Sequence, residues 1–320
     1  MVLDPVMMSP SMRELDRMVQ AVAPKDVVVT LIGESGSGKE VLARRIHDLS
    51  GRRTGPFVPI NCAAIPDALF ESELFGHERG AFTGATERVR GKIEASSGGT
   101  LFLDELGELP LGMQAKLLRF LENKRFMRVG GSTKLSLDTR LICATLRPLE
   151  EEVNAGKFRA DLYYRIEGIT LEIPPLRERP EDIGPLADHF IAELSAFHGV
   201  AAPKLGTAVR EALQTYAWPG NVRQLRNAME RLCLLRPGLP ARVADLPRAL
   251  QARAPERRKE RTKASLEVSL DSSLDETVHR ILLAVLEAEG GNRARTARRL
   301  GISVRTVQRH LARAGGPLHR

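Results

Sequence analysis

The octet Gly33-Glu34-Ser35-Gly36-Ser37-Gly38-Lys39-Glu40 joins an apolar run, "DVVVTLI" (26–32), to a segment of helical periodicity carrying Leu42, Ile46 and Leu49. Glycines at 33, 36 and 38 let backbone N–H groups converge, and the helix that follows adds its dipole. The stretch is therefore a cradle for phosphate oxygens, with Lys39 placed to neutralise a β/γ-phosphate pair. A plain glycine turn is the bland alternative; the strand before and the helix after argue against it. A second stretch, "GGTLFLDE" (98–105), ends four apolar strand residues in two carboxylates. Asp104 suits Mg²⁺ or one of its waters, and Glu105 suits a base that orients an attacking water. The generic phosphate loop follows its lysine with Ser or Thr, a Mg²⁺ ligand. Glu40 stands there instead, so the metal must rely on other oxygens. The chemistry these residues point to is ATP hydrolysis.

A third stretch, "GHERGAFTGATE" (76–87), sets Phe82 and Thr83 among glycines and alanines. Two glycines in six positions oppose a regular helix or strand, so the aromatic sits at the tip of a loop.

The elements that position these groups follow from periodicity. Continuous apolar runs at 26–32, 57–60, 100–103, 140–145 and 169–173 suit strands buried on both faces of a parallel sheet, with helical segments between them. That alternation predicts an open α/β fold with functional residues at the carboxyl ends of strands. Near the N-terminus, Ser9 or Ser11 caps a helix presenting Leu15, Met18 and Val19. From about Ile183 to Leu235 the pattern is helical, with "WPGN" (218–221) as a turn that Asn221 caps. A charged stretch without aromatics, "QARAPERRKERTKASLEVSL" (251–270), reads as a linker. The domain boundaries expected are 1–174 (nucleotide-binding α/β), 175–246 (helical lid), 247–271 (linker) and 272–320 (helical DNA-binding domain).

Positive charge has a location. Between Gly290 and Arg320 there are eight arginines and no acid; the chain's 48 basic residues less these eight leave 40, against 40 acidic. A polyanion-binding module thus sits on a neutral body. Its sequence reads as three helices. The first carries Val278, Ile281, Leu282, Val285 and Leu286. The second buries Ala294, Ala297 and Leu300, and the third, capped by Ser303, buries Val304, Val307 and Leu311. This is helix-turn-helix spacing, with Arg305, Thr306, Gln308 and Arg309 facing outward to guanine or adenine edges and phosphates of double-stranded DNA. The three cysteines, 62, 143 and 233, are scattered and read as buried apolar residues in a reducing cytoplasm. No apolar run approaches the ~20 residues that span a bilayer, and the N-terminus has no basic signal-peptide region.

With these motifs in place, nearly the whole chain resembles the NtrC-type AAA+ activators of sigma-54 RNA polymerase, the bacterial enhancer-binding proteins. The hexapeptide Gly-Ala-Phe-Thr-Gly-Ala (80–85) is far more specific than the phosphate loop, which many ATPases share. The resemblance implies an AAA+ P-loop ATPase, a parallel sheet with a helical lid, followed by a small all-α Fis-type helix-turn-helix. It implies that the loop rises from a ring and pushes on sigma-54 through Phe82 and Thr83, with glycine hinges. Asn61 falls where the family's switch asparagine holds the catalytic glutamate, here Glu105. Arg159 and Arg165 of "FRADLYYRI" fall on arginine fingers that reach a neighbouring subunit, and Arg223 of "WPGNVRQLRN" on the sensor II arginine. Thr145 keeps its sensor I place, while Leu146 stands where relatives carry a polar residue. Trans-acting fingers imply a homo-oligomeric ring, hexameric in the family. Only about 30 residues precede the phosphate loop, so no receiver domain is expected upstream. Two rivals stay open: an ATP-responsive DNA-binding regulator that does not remodel sigma-54, and a AAA+ DNA-processing motor.

Overall fold

The computed structural model describes residues 7–146, 148–251 and 273–313; the expected linker from 252 onward lies outside them. The chain divides into two units, Met1–Ala254 and Pro255–Arg320.

In the first unit, one sheet runs in the order Phe57–Asn61, Thr100–Asp104, Arg140–Thr145, Val29–Ile32, Ile169–Glu172, with every neighbouring pair parallel. The apolar run that begins at residue 26 becomes strand only at Val29; Val27 is exposed. Consecutive strand residues serve opposite faces, as the pleat requires. Leu101 and Leu103 join one core with Phe70, Leu117 and Phe120, while Phe102, Ile142 and Ala144 join the other with Val19, Leu42 and Ile46. Helix Pro10–Val22 covers the second face and starts where Ser9 Oγ accepts from Met12 N; Ser11 is not the cap. Met18 and Leu49, expected on the apolar stripes, are 46% and 41% exposed: Met18 lies off the stripe its helix turns inward, and Leu49 follows the end of helix Lys39–Asp48 as its cap.

His47, on helix Lys39–Asp48, is buried against Phe57 with Nδ1 2.9 Å from Thr100 Oγ1. Burial holds its imidazole below the ordinary value, favouring the neutral ring. The unfolded chain takes up a proton near pH 6.5 that the folded chain refuses, so stability is full above that pH and lost as pH falls below it. Thermal melts from pH 8 to 5 should show a falling Tm with a limiting slope of ~1.4 kcal/mol per pH unit from this group. The slope should flatten in His47→Gln; an unchanged slope would remove His47 as the cause.

The helical part of the first unit packs Leu176, Ile183, Leu194, Trp218, Leu225 and Met229 into a separate core. Helix Pro180–His198 crosses helix Asn221–Leu235 there, and the indole N–H of Trp218 donates to Leu213 O. This core extends past residue 246, because Leu250 of helix Arg248–Gln251 is buried in it.

The described residues of the second unit form three helices, Leu274–Ala288, Arg293–Leu300 and Val304–Arg313, around Leu282, Ala297 and Val307. Ser273 and Glu276 form a capping box on the first, and Asn292 caps the second. Gly301, at φ 65°, supplies the left-handed residue that ends the second helix. Ser303 Oγ accepts from Thr306 N at the start of the third. Ala294 and Val304, expected inside, are exposed, since a core this small covers one residue per turn rather than a wide stripe. No helix among the described residues is long and apolar enough to cross a membrane.

Candidate functional site

Strand register brings the sequence-predicted residues to one edge of the sheet. Ile32 pairs with Thr145 and Glu172, and Asn61 pairs with Asp104. Gly33, Asn61, Asp104, Glu105 and Thr145 therefore all stand at or just past carboxyl ends. Gly33 N donates to Thr145 O at 3.2 Å, which fastens the phosphate loop to the adjacent strand.

Gly36 and Gly38 have φ of 74° and 109°, conformations that side chains other than glycine's resist. Lys39 starts the next helix with its Nζ donating to Gly33 O at 2.9 Å and Glu34 O at 3.3 Å, so the loop closes over its own lysine. Burial lowers the ammonium's pKa; Asp104 and Glu105 counter this by favouring the charged form, and Arg223 adds to the lowering. Those couplings place the strand-end carboxylates and the lid arginine in one electrostatic site with Lys39. Glu40 is exposed in the helix's first turn.

Among the described residues, Glu105 is one of four non-glycine residues with positive φ, at 54°, while Asp104 Oδ1 accepts from its N–H at 3.0 Å. A glutamate held left-handed at a strand end is strained, and strain of that kind accumulates where a side chain must be aimed. Asn61 is used differently from expectation: its Oδ1 accepts from Ala63 N at 2.9 Å and caps the 62–64 turn, rather than holding Glu105. Buried Cys62 lies beneath, its thiol pushed up to about 12 by burial and by the Asp104 and Glu105 charges.

The helical part grips the loop residue by residue. Glu34 receives a bidentate pair from Arg177, at 2.7 and 2.9 Å, and a bond from Asn221 Nδ2. Asn221 Nδ2 also donates to Ser35 O, and Arg223 Nη1 to Ser35 Oγ at 3.0 Å. Val222 N and Arg223 N both donate to Gly36 O. Arg179 Nη2 donates to Ser37 O at 2.7 Å. Asn221 is thus not a helix cap: it is the first residue of its helix, at φ 49°, with Gly220 in the cap position. Its Oδ1 accepts from Leu176 N, so one buried amide joins both helical segments to the loop. Arg177 and Arg179 were missed by the sequence motifs; their signal is "PPLRERPED" (174–182), a charge run directly after the last strand, while Asn221 of "WPGN" was read only as a helix cap. Arg223, expected as the sensor II arginine, lies on the phosphate loop through its bond to Ser35 Oγ.

Arg159 and Arg165 lie outside this cluster. Arg159 precedes helix Ala160–Ile166 and pairs with Asp161 through two bonds; Arg165 donates to Leu121 O. Both are exposed. Leu146, next to Thr145, is 42% exposed and offers no hydrogen bond.

The loop bearing Phe82 and Thr83 leaves from the antiparallel ribbon Gly76–His77/Val89–Arg90, between the strand ending in Asn61 and the strand ending in Asp104. Gly80 N donates to Ala85 O, closing it; Gly80 and Gly84 have φ of 81° and 103° with open space around them. Phe82 is 42% exposed and rests edge-on against the His77 ring, 4.9 Å between centroids. Thr83 is exposed. At the ribbon's base, buried Arg128 binds Glu78 and Glu94, each at 2.7 Å.

In the second unit, Arg305, Gln308 and Arg309 are exposed along the third helix. Thr306 departs from expectation: it is half-buried with its hydroxyl 2.8 Å from that of Ser303, so it closes the cap instead of facing outward.

Sheet, phosphate loop and gripping helices define the first unit as an AAA+ P-loop fold, and the second as a helix-turn-helix. Residues 6–172 match the family described as Sigma-54 interaction domain, 177–263 the AAA+ ATPase lid domain, and 274–313 the bacterial regulatory protein, Fis family. The chain belongs to the sigma-54 activator family. It is 54% identical over 228 residues to the Nif-specific regulatory protein of Azospirillum brasilense, covering 71% of this chain and 36% of that one. It is 45% identical over 309 residues to the transcriptional regulatory protein ZraR of Klebsiella oxytoca, covering 95% and 68%. The chain therefore spans about a third of the Nif-specific relatives' length. The crystal structure of NtrX from Brucella abortus in complex with ATP aligns with TM-score 0.72 and 34% identity over 98% of this chain and 70% of that one.

Proposed function

We propose that this chain is a sigma-54-dependent transcriptional activator: it binds enhancer-like DNA and, as a ring, uses ATP hydrolysis to remodel sigma-54 RNA polymerase for promoter opening. One observation carries the proposal. The Phe82–Thr83 loop is inserted between two adjacent parallel strands whose ends bear Asn61 and Asp104–Glu105. A change of charge at those ends acts directly on the strand end from which the chain departs toward the loop, and through the paired neighbour on the strand to which it returns.

The phosphate loop at 33–40 binds the triphosphate through converging N–H groups and Lys39, and Arg223 adds a lid contact. The hard oxygens of Asp104 and Glu105, in the same electrostatic site as Lys39, fit Mg²⁺, which typically takes one or two carboxylates along with phosphate oxygens. When bound, the ion would neutralise phosphate charge. Glu105 accepts a proton from the water that attacks the γ-phosphoryl group; the bond to the β-phosphate oxygen breaks and ADP leaves with that oxygen. Arg159 and Arg165 are exposed and distant in contacts from their own loop, which supports their acting on a neighbour in a ring, expected to be hexameric. Asn61 switches between its present cap and Glu105. Thr145 and Asn61 carry γ-phosphate sensing, since Leu146 offers no polar group. Like the NtrX crystallised with ATP, the chain takes ATP.

Transcription reconstituted with sigma-54 polymerase, template and ATP tests this. The parent should open promoters; Lys39→Ala should neither hydrolyse nor activate; Thr83→Ala should hydrolyse ATP but yield no transcript. Full promoter output from Thr83→Ala would overturn the proposal in favour of a regulator that acts without remodelling. On DNA, Arg309→Ala should weaken a specific site by ~1–3 kcal/mol if it reads a base, or lower the salt slope by about one if it touches phosphate. Identical salt titrations of mutant and parent would reject both roles.

A further inference from the structure

Arg179 is the least comfortable of the groups on the phosphate loop. Its side chain is 4% exposed, one amine donates to Ser37 O, another lies 3.9 Å from the Asp182 carboxylate, and Nε has no partner. Asp182 is fully buried, yet its carboxylate is turned mainly elsewhere: Oδ1 accepts from Met8 N at 2.7 Å and Ser9 N at 2.8 Å, and Oδ2 from Ser9 Oγ at 3.0 Å. Ser37 Oγ, inside the loop, is likewise buried without a partner. A buried guanidinium with an idle N–H beside a carboxylate shared with other donors is a costly arrangement that has a second, better-paired state available.

We propose that Asp182 and Arg179 form a positioning pair that couples the docking of Met8–Ser9 to the phosphate loop, so that nucleotide affinity depends on whether this entry segment is seated. The inference rests on residues 33–40 being the nucleotide site. While Met8 and Ser9 occupy the carboxylate, Arg179 is left to hold Ser37 O and keep the loop's N–H groups convergent. When the segment lifts away, Asp182 loses three donors in a buried place and closes on the guanidinium. Arg179 is drawn from Ser37 O, and the loop relaxes. Coupling of this sort is reciprocal: nucleotide in the loop must tighten Met8–Ser9 by the same factor. Any force or partner acting on the chain N-terminal to Ser9 would then regulate the ATPase without touching it.

Ser9→Pro breaks the link together with the helix cap on Met12 N, and Ser9→Ala removes the same cap but keeps the N–H, so the difference between the two isolates the Ser9 N–H bond to Asp182. Ser9 has φ −67°, the value proline fixes, so the backbone is kept while the N–H and hydroxyl that hold Asp182 are both removed. In the full chain, titrated with a fluorescent ADP analogue, Ser9→Pro should raise Kd by ~5–150-fold, the usual span of coupling between sites. Ser9→Ala, which keeps the N–H, should fall between it and the parent. Hydrogen exchange supplies the readout that mere structural support would not move. Saturating ADP should slow exchange at the Met8 and Ser9 amides in the parent, and should leave them unchanged in Arg179→Met, which severs the link. Equal affinities of parent, Ser9→Ala and Ser9→Pro, or parent amides indifferent to ADP, would overturn the proposal. A parent chain that fails to bind ADP at all would instead overturn the assignment of the nucleotide site.

Discussion

A Glu105→Gln chain is expected to bind ATP as the parent does and to turn it over ~10²–10⁴-fold more slowly, the range a positioned general base contributes. The substitution keeps volume and one oxygen, and removes the negative charge and with it the ability to take a proton. Its backbone already sits at φ 54°, fixed by the Asp104 side chain accepting from the Glu105 N–H, so the aim of the side chain should survive. One of the two carboxylates that favour charged Lys39 is lost, but Asp104, the stronger of the pair, remains, and the ammonium keeps its bonds to Gly33 O and Glu34 O. Single-turnover hydrolysis beside a binding titration separates the two steps. Turnover within a few-fold of the parent would remove Glu105 as the base and leave Asp104 as the candidate.

Gly36→Ala is expected to weaken nucleotide binding by at least ~10-fold and to lower Tm. Two costs add. An alanine at φ 74° pays the left-handed penalty, ~1–2 kcal/mol, itself about tenfold. Its Cβ would also lie 2.6 Å from Gly220 O and 3.0 Å from Arg223 Cβ, so the lid must back away. That movement breaks the bonds from Val222 N and Arg223 N to Gly36 O and carries Arg223 from Ser35. Gly80→Ala is the control, because its φ is 81° but nothing lies within 4 Å of the new carbon; it should show strain alone. Equal nucleotide affinity for Gly36→Ala and the parent would mean that the lid grip does not shape the site.

The strands and the carboxylate pair at a strand end could be read ahead of the structure because their causes are local. A strand buried on both faces is a continuous apolar run, and a carboxylate pair ending such a run stands at a sheet edge. The lid's hold on the loop could not be read that way. Asn221 meets Glu34 across 187 residues and Arg179 meets Ser37 across 142, and no spacing in the chain encodes such a meeting. In isolation "PPLRERPED" has the look of a solvated charge run. Asn61 and Thr306 were recognised as polar residues in the right places, but each short side chain spends its hydrogen bond on the nearest backbone or hydroxyl, a competition that periodicity does not register. Ala294 and Val304 failed for a different reason, since a three-helix unit with so few buried side chains does not fill every inward position the helical repeat offers.

The ribbon beneath the Phe82 loop has a mechanical corollary. Val129 donates to Gly76 O and accepts from Glu78 N, while Arg128 clasps Glu78 and Glu94, so the stem is braced by a neighbouring segment on one side and helix Lys92–Ala95 on the other. Bending is thereby concentrated at Gly80 and Gly84, which have open space around them, whereas Ala81 lies against Gly130 and Phe82 against His77. A stiff shaft with a short compliant tip would deliver displacement without absorbing it, so the stroke proposed for this loop would be set by the strands at its base rather than by the softness of the loop.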